Sequence, residues 1–513
     1  LYAVDRSRDR PKIRTLVESE ATRAGIRFAT VVSTLPDDPD HIIVQWNKRN
    51  LRYFGLYKVN VRKGRPELMT DKIRDVSGWF VDHDGVPRGA LVVKGMEGEF
   101  LYRSGPDEEF RTLRKFNLLD EGISPLGFDF DNKTMYVRAD IGRQTSAIYT
   151  YDPETDQLGE LLFGHDEVDA GGLILSRKQK KVLGVTYFDD YPRRHYFDEV
   201  EGQIIAKLEE AFPGKTVNIV SATKDETLNI LLVHNDRDPG SYYLYDRKAG
   251  QVRFLVSRMD WIDPQRMLPM QPIEFDARDG LKIRGYVTVP KDREDGEKLP
   301  LIVNPHGGPF GVRDYWGYNP EHQFFASRGY AVVQVNYRGS GGYGRDFEQA
   351  GYGQWGREMQ NDLSDAIHYL VGEGIADPDR VCIYGGSYGG YATMAGMTFT
   401  PELYRCGINY VGVTDVSLMF DSMPRHWEPL KELMKVQIGD PEDEEFMDSI
   451  SPIEHVDNID DPILIVHGRR DPRVVIEHAE KLRRQMKRSE KEFEWLVKNN
   501  EGHGFSKEEN RLE

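Results

Sequence analysis

Short stretches that alternate apolar and polar positions, each closed by a polar turn, fill the first half of the chain. Leu1-Tyr2-Ala3-Val4-Asp5 leads to Ile13-Arg14-Thr15-Leu16-Val17, and Leu56-Tyr57-Lys58-Val59-Asn60 leads to Glu67-Leu68-Met69. The same pairing recurs from Phe100-Leu101-Tyr102-Arg103 to Phe110-Arg111-Thr112-Leu113, and from Ile148-Tyr149-Thr150-Tyr151-Asp152 to Leu158-Gly159-Glu160-Leu161-Leu162. It returns from Tyr242-Tyr243-Leu244-Tyr245-Asp246 to Val252-Arg253-Phe254-Leu255-Val256. A period of two marks half-buried strands, and the Asp or Asn between them marks a hairpin turn. The repeat length of roughly 40 to 50 residues, with four short strands per unit, is that of β-propeller blades. One double gap in the series is expected to hold a degenerate copy over 195–205. Because the pattern opens inside a unit at Leu1 rather than at a Met, the propeller is expected to be incomplete at its N-terminus.

The period breaks around Met267-Leu268-Pro269-Met270-Gln271-Pro272, which places a boundary between a propeller over 1–268 and a second domain over 269–513. Strands are then predicted over 281–289, 300–304, 330–336, 380–384, 406–411, 462–467 and 492–497. Helices are predicted between them, notably over 359–371 and 475–488. Such alternation implies a mostly parallel sheet covered on both faces.

One junction in that second domain carries chemistry. Val381-Cys382-Ile383-Tyr384 reads as a strand and Tyr391-Ala392-Thr393-Met394-Ala395 as a helix; between them lies Gly385-Gly386-Ser387-Tyr388-Gly389-Gly390. Strand, glycine-flanked serine, then helix is the context of a nucleophile elbow, in which Ser387 sits on a turn too tight for side chains two residues away. A serine hydroxyl needs a base, and the base needs a carboxylate to orient it. In α/β-hydrolases these follow the serine in the order acid, then histidine. Asp471 sits just past the strand Pro462-Ile463-Leu464-Ile465-Val466-His467, and His503 lies in Glu501-Gly502-His503-Gly504 after the final strand. His467 reads as a residue that packs or orients its loop, His478 as a packing or surface residue of a helix, and Asp415 as structural or substrate-side. An oxyanion needs amide donors. The N–H of Tyr388 is one candidate, and the N–H of Gly308 in Pro305-His306-Gly307-Gly308-Pro309 is the other.

These segments, with Asn336-Tyr337-Arg338-Gly339-Ser340-Gly341-Gly342-Tyr343-Gly344, resemble the prolyl oligopeptidase family of serine peptidases, and within it the acylaminoacyl peptidase or dipeptidyl aminopeptidase-like branch. The resemblance is specific over 270–505 and architectural over the propeller. It implies a serine peptidase that cuts short peptides in a cavity between propeller and catalytic domain. It further implies that Val413 and Val474 line the pocket for the side chain before the scissile bond. Only ten residues follow His503, so the hydrolase domain is expected to lack its last helix. The alternative reading is a serine esterase or other α/β-hydrolase acting on small esters or amides; a non-catalytic propeller binding protein is the remote one.

Composition narrows the partners. Lys and Arg number 68 against 85 Asp and Glu, a formal net charge of −17, which disfavours nucleic acid and anionic membranes. No apolar run reaches the length of a membrane span. Metal-site spacings such as H-E-x-x-H are missing, and no cofactor is expected. The expected partners are short peptides, with a homo-oligomer open. The two cysteines, Cys382 and Cys406, read first as buried free thiols and second as a single disulfide. The compartment, periplasmic, secreted or cytoplasmic, stays open. The adjacent pairs Glu108-Glu109 and Glu209-Glu210 read as solvated surface rather than as anchors for a substrate amine.

Overall fold

The computed structural model describes residues 1–513 except 6–10, 23–24, 71–72, 292 and 295. After a hairpin of Tyr2–Asp5 with Lys12–Thr15 and a short pair, Glu20–Thr22 with Gly25–Arg27, five antiparallel sheets follow one another up to Ser257. They are the propeller blades. Four have four strands each, beginning at Ala29, Val76, Ile123 and Thr216. Four of the five pairs named from the sequence form the last two strands of a blade, for example Ala147–Asp152 against Gln157–Phe163; the first, at the start of the chain, is the separate two-stranded hairpin. Small apolar clusters fill the spaces between neighbouring sheets: Ile43, Leu56, Val76 and Trp79 in one, Phe100, Met135, Val137 and Tyr151 in the next.

The fourth unit differs from expectation. Its sheet has three strands, Ala170–Ser176, Lys181–Phe188 and Pro192–Tyr196, and the segment expected to complete a degenerate copy is instead a helix, α1, Glu199–Ala211. The local sequence explains it. Asp198 caps α1 by accepting the Glu201 N–H at 3.0 Å, the serine-or-aspartate-x-x-glutamate pattern of a helix start. Ile205 and Leu208, three apart, then pack against Val217, Leu231 and Val233 of the following blade. Of the acidic pairs, Glu209 on α1 is engaged by Arg194 at 3.0 Å.

An eight-stranded sheet follows. Its strands are β1 Met270–Asp276, β2 Lys282–Thr288, β3 Leu299–Val303, β4 Ala331–Asn336, β5 Ala376–Gly386, β6 Cys406–Tyr410, β7 Ile463–Gly468 and β8 Phe493–Lys498. They lie in the order β1-β2-β4-β3-β5-β6-β7-β8. β1 and β2 run antiparallel to their neighbours and the rest are parallel. β1 occupies the segment that the sequence reading took only as a break in period. Helices α2 Glu358–Gly372, α3 Tyr388–Phe399 and α4 Glu477–Arg488 cover the sheet. Every residue of β4 is buried, as a strand covered on both faces requires.

The cysteines are not free thiols. Cys382 and Cys406 face each other in the β5–β6 register and form a disulfide with a Cα–Cα distance of 4.8 Å. The first reading failed because sequence spacing does not reveal strand register, and register alone brings these two side chains together.

The glycine-rich run after β4 ties the sheet to the propeller. Arg338 enters it with its guanidinium on Asp362 at 2.8 Å and on Asp279 at 2.7 Å, and its N–H on Asp362 at 2.8 Å. At the far end the Asp169 N–H donates to Gly342 O at 3.0 Å, the Arg345 N–H donates to Gln144 O, and the Arg345 guanidinium meets Asp140 at 2.7 Å. Gly344 has φ +89°, and a Cβ there would lie 2.9 Å from Gln144 O; only glycine allows this approach. Nearby, Arg313 lies 4.0 Å over the Tyr343 ring and donates to the carbonyls of Phe188 and Asp189. No helix among the described residues is long and apolar enough to cross a membrane.

Candidate active site

Ser387 stands between β5 and α3 with φ 61° and ψ −118°. A non-glycine residue here stores roughly 1–3 kcal/mol of backbone strain, tolerated when the surroundings over-determine it. They do. A Cβ on Gly385 would lie 2.4 Å from Gly389 O, and one on Gly389 would lie 2.2 Å from Pro305 O. The Ser387 N–H is held by Tyr410 O at 3.0 Å, and Ser387 O accepts the Tyr391 N–H at 3.0 Å. Ser387 is therefore fixed at the helix start, where unpaired amides and the helix dipole favour negative charge.

Two strands further along the sheet, and at the same edge of it, the loop after β7 and the loop after β8 meet. His503 Nδ1 lies 2.7 Å from Asp471 Oδ2, with the Asp471 side chain fully buried and that of His503 15% exposed. The other oxygen of Asp471 accepts the N–H groups of Arg473 and Val474 at 2.8 and 3.0 Å. Holding Oδ1 in this way aims Oδ2 at the imidazole. His467 supports the same loop: its Nε2 lies 2.9 Å from Val474 O and 3.8 Å from Asp471 Oδ2. Burial lowers the His467 pKa and favours the neutral ring; because Val474 O can only accept, Nε2 carries the proton and donates to it.

The remaining competitors have structural work. His478 is fully buried, and burial pushes it down to about 3. Asp415 caps a short helix by accepting the Leu418 N–H and pairs with Lys481 at 2.8 Å.

Ser387 and His503 share no hydrogen bond among the described residues; in unliganded enzymes such contacts commonly tighten only with substrate bound. Tyr410 spans them instead. Its carbonyl holds the Ser387 N–H, and its hydroxyl accepts the Phe505 N–H from the loop that carries His503.

The His306–Pro309 loop lies against the elbow: a Cβ on Gly307 would be 3.1 Å from Gly386 O and 3.4 Å from Ser387 Cβ. Gly308, at φ +120°, is exposed. His306 anchors the loop from behind, stacked on Tyr337 with ring centroids 4.4 Å apart and with Nε2 2.9 Å from Ser340 Oγ. Tyr388 opens α3 and is buried, and so are Val413 and Val474 in the main core. A cavity of about 470 Å³ lies between the propeller and the segments that follow the His306–Pro309 loop and β4, with Arg138, Tyr187 and Phe188 on one side and Gly311, Arg313 and Tyr315 on the other; Ser387, Asp471 and His503 are not among its lining residues.

Sequence reasoning missed two supports. Tyr410 looked like any aromatic strand residue. Glu501 was read only as part of a motif, yet it closes the His503 loop. Burial pushes its carboxyl up, but donors from Asn510 at 2.6 Å, Ser506 at 3.1 Å and Lys507 at 2.9 Å outweigh this and bring it down to about 2. A depressed carboxyl stabilises the fold above its ordinary value of 4.5 and loses that contribution as pH falls toward 2. In thermal melts, the advantage of wild type over Glu501→Gln is therefore expected to be full at pH 6 and to shrink steadily below pH 4.5. An advantage that stays constant down to pH 2.5 would contradict the assignment.

Known proteins converge on this architecture. The profile of the prolyl oligopeptidase family matches residues 316–513. Dipeptidyl aminopeptidase BIII of Pseudoxanthomonas mexicana is 32% identical over 524 residues, covering 99% of this chain and 74% of that protein. The chain belongs to the prolyl oligopeptidase family. Within that family, dipeptidyl peptidase family member 6 of Caenorhabditis elegans is 28% identical over 506 residues, covering 92% of this chain and 68% of that one. Among solved structures, a puromycin hydrolase superposes with a TM-score of 0.76 at 21% identity, covering 98% of this chain and 79% of its own. The Pyrococcus horikoshii acylaminoacyl peptidase does so with 0.61 at 19% identity, covering 96% and 91%. These two likenesses concern fold. As a member of the prolyl oligopeptidase family, the protein is a serine peptidase with a propeller domain.

Proposed function

We propose that Ser387 is the nucleophile, His503 its general base and Asp471 the carboxylate that orients the base. The observation that carries this is the positive-φ serine at the β5–α3 junction with the Asp471–His503 pair, 2.7 Å apart, at the same sheet edge. Ser387 Oγ attacks the peptide carbonyl while His503 Nε2 takes its proton, and Asp471 holds the imidazolium that forms. The amides of Tyr388 and Gly308 receive the oxyanion, and His503 then gives the proton to the leaving amine as the C–N bond breaks, which leaves the acyl group on Ser387; a water that gives its proton to His503 cleaves that ester and restores the serine. We assign the propeller to residues 1–268 and the hydrolase domain to 269–513, and place Val413 and Val474 along the pocket for the side chain before the scissile bond.

The substrates are short peptides, and the reaction we favour is release of dipeptides from a free N-terminus. The resemblance to a dipeptidyl aminopeptidase over nearly the whole chain supports this, and a propeller that faces the catalytic domain across a cavity suits small substrates over folded proteins. The Cys382–Cys406 disulfide favours an oxidising compartment.

A panel of free-amine dipeptide amides, N-blocked peptide amides and simple esters tests the proposal. Free-amine dipeptide amides are expected to have the highest kcat/KM. A preference for blocked peptides would move the assignment to acylaminoacyl release, and activity confined to esters would remove the peptide specificity altogether.

A further inference from the structure

Catalysis by a serine needs the base to return to one place relative to the hydroxyl, and here the base sits on a loop. The bond from His503 Nδ1 to Asp471 fixes one end of the imidazole. Glu501 closes the loop upon itself, but neither contact sets where the loop stands relative to Ser387, and a displacement of about 1 Å can cost about 100-fold in rate. A tie to the serine itself is therefore needed, and Tyr410 has the contacts to supply it.

Tyr410 is the last residue of β6. Its main chain pairs with Gly386 of β5 and Val466 of β7, and its carbonyl accepts the N–H of Ser387 at 3.0 Å. Its side chain reaches the other partner. The Phe505 N–H, two residues beyond His503, donates to the Tyr410 hydroxyl. The Phe505 ring stands edge-on to the tyrosine, with centroids 5.3 Å apart and planes at 87°. Gly504, at φ +103°, brings the backbone so near that a Cβ there would lie 3.6 Å from the hydroxyl oxygen. Burial raises the pKa of that hydroxyl, so the oxygen accepting the amide is a neutral one.

We propose that Tyr410 is a positioning residue for the reaction: bonded through its main chain to the serine and through its hydroxyl to the histidine loop, it sets the distance between Ser387 and His503. The inference rests on the reading of those two residues as nucleophile and base. Asp471 then fixes which tautomer and orientation the ring adopts, while Tyr410 fixes where the ring stands.

Tyr410→Phe keeps the ring and its packing but removes the oxygen, leaving the Phe505 amide without its acceptor. Two measurements on the full chain test it: steady-state kinetics on a dipeptide amide, and the rate and stoichiometry of labelling by a fluorophosphonate. Tyr410→Phe is expected to lower kcat tenfold or more with KM within about twofold. It is expected to label to full stoichiometry but more slowly, in proportion to kcat. Rates are taken per labelled site, so partial loss of folded protein does not obscure the result. Tyr384→Phe, which removes a nearby hydroxyl bonded to Glu321, is the control and is expected to keep kcat within about twofold.

A smaller fall in kcat, a loss carried by KM, or an unchanged labelling rate overturns the inference. Ser387→Ala and His503→Ala run alongside. If they abolish labelling while Tyr410→Phe behaves as wild type, only the role of Tyr410 fails. If Ser387→Ala still labels at another serine, the underlying reading fails instead.

Discussion

Ser387→Ala is expected to lower kcat for peptide hydrolysis by about 10^6-fold, the loss seen when a triad nucleophile is deleted, and to abolish fluorophosphonate labelling. The substitution removes one oxygen and relaxes nothing else, because the turn is held by backbone bonds from Tyr410 O and to the Tyr391 N–H rather than by the hydroxyl. Thermal stability should hold or rise slightly. Substrate should still bind, since the proposed Tyr388 and Gly308 amides remain in place. Residual activity within about 100-fold of wild type, or labelling at another serine, would show that the nucleophile lies elsewhere.

Asp471→Asn is expected to cost about 10^4-fold in kcat with little change in KM. The asparagine Oδ1 can still accept the N–H groups of Arg473 and Val474, so the loop keeps its shape. What changes is the partner offered to His503. An amide NH2 at the Oδ2 position donates toward Nδ1 and selects the tautomer with its proton on Nε2, which then cannot accept a proton from serine. The charge that stabilises the imidazolium also disappears. Kinetics on a dipeptide amide, together with a melting curve that shows the fold intact, checks this. A fall of less than about tenfold would assign the orienting role to another group.

The parts of the protein that follow from local sequence were readable. The paired strands of the propeller advertise themselves by alternation and turns, and seven strands of the large sheet appear as apolar runs in the predicted places. The residues proposed for catalysis were found because each sits in a motif with a mechanical reason: glycines around Ser387, and loops after strands for Asp471 and His503. What could not be read depends on contacts between distant segments. The disulfide needed the β5–β6 register. Tyr410 needed a loop 95 residues away to give its hydroxyl a partner. α1 is an instructive miss, because the Asp198-to-Glu201 cap and the Ile205–Leu208 spacing were present in the sequence. The regularity of the surrounding blades outweighed them.

The glycines around the elbow also bear on how this enzyme could be altered. The nearest atoms to a side chain added at Gly385, Gly389 or Gly390 are main chain: Gly389 O, Pro305 O and the Gly412 Cα, the last with Asn409 Oδ1 beside it. A compensating second substitution cannot clear main-chain atoms out of the way, so these positions are closed to library design, singly or in combination. Variation aimed at a new substrate has to enter from the walls of the pocket and from the propeller face of the cavity. There, side chains meet side chains, and one change can make room for another.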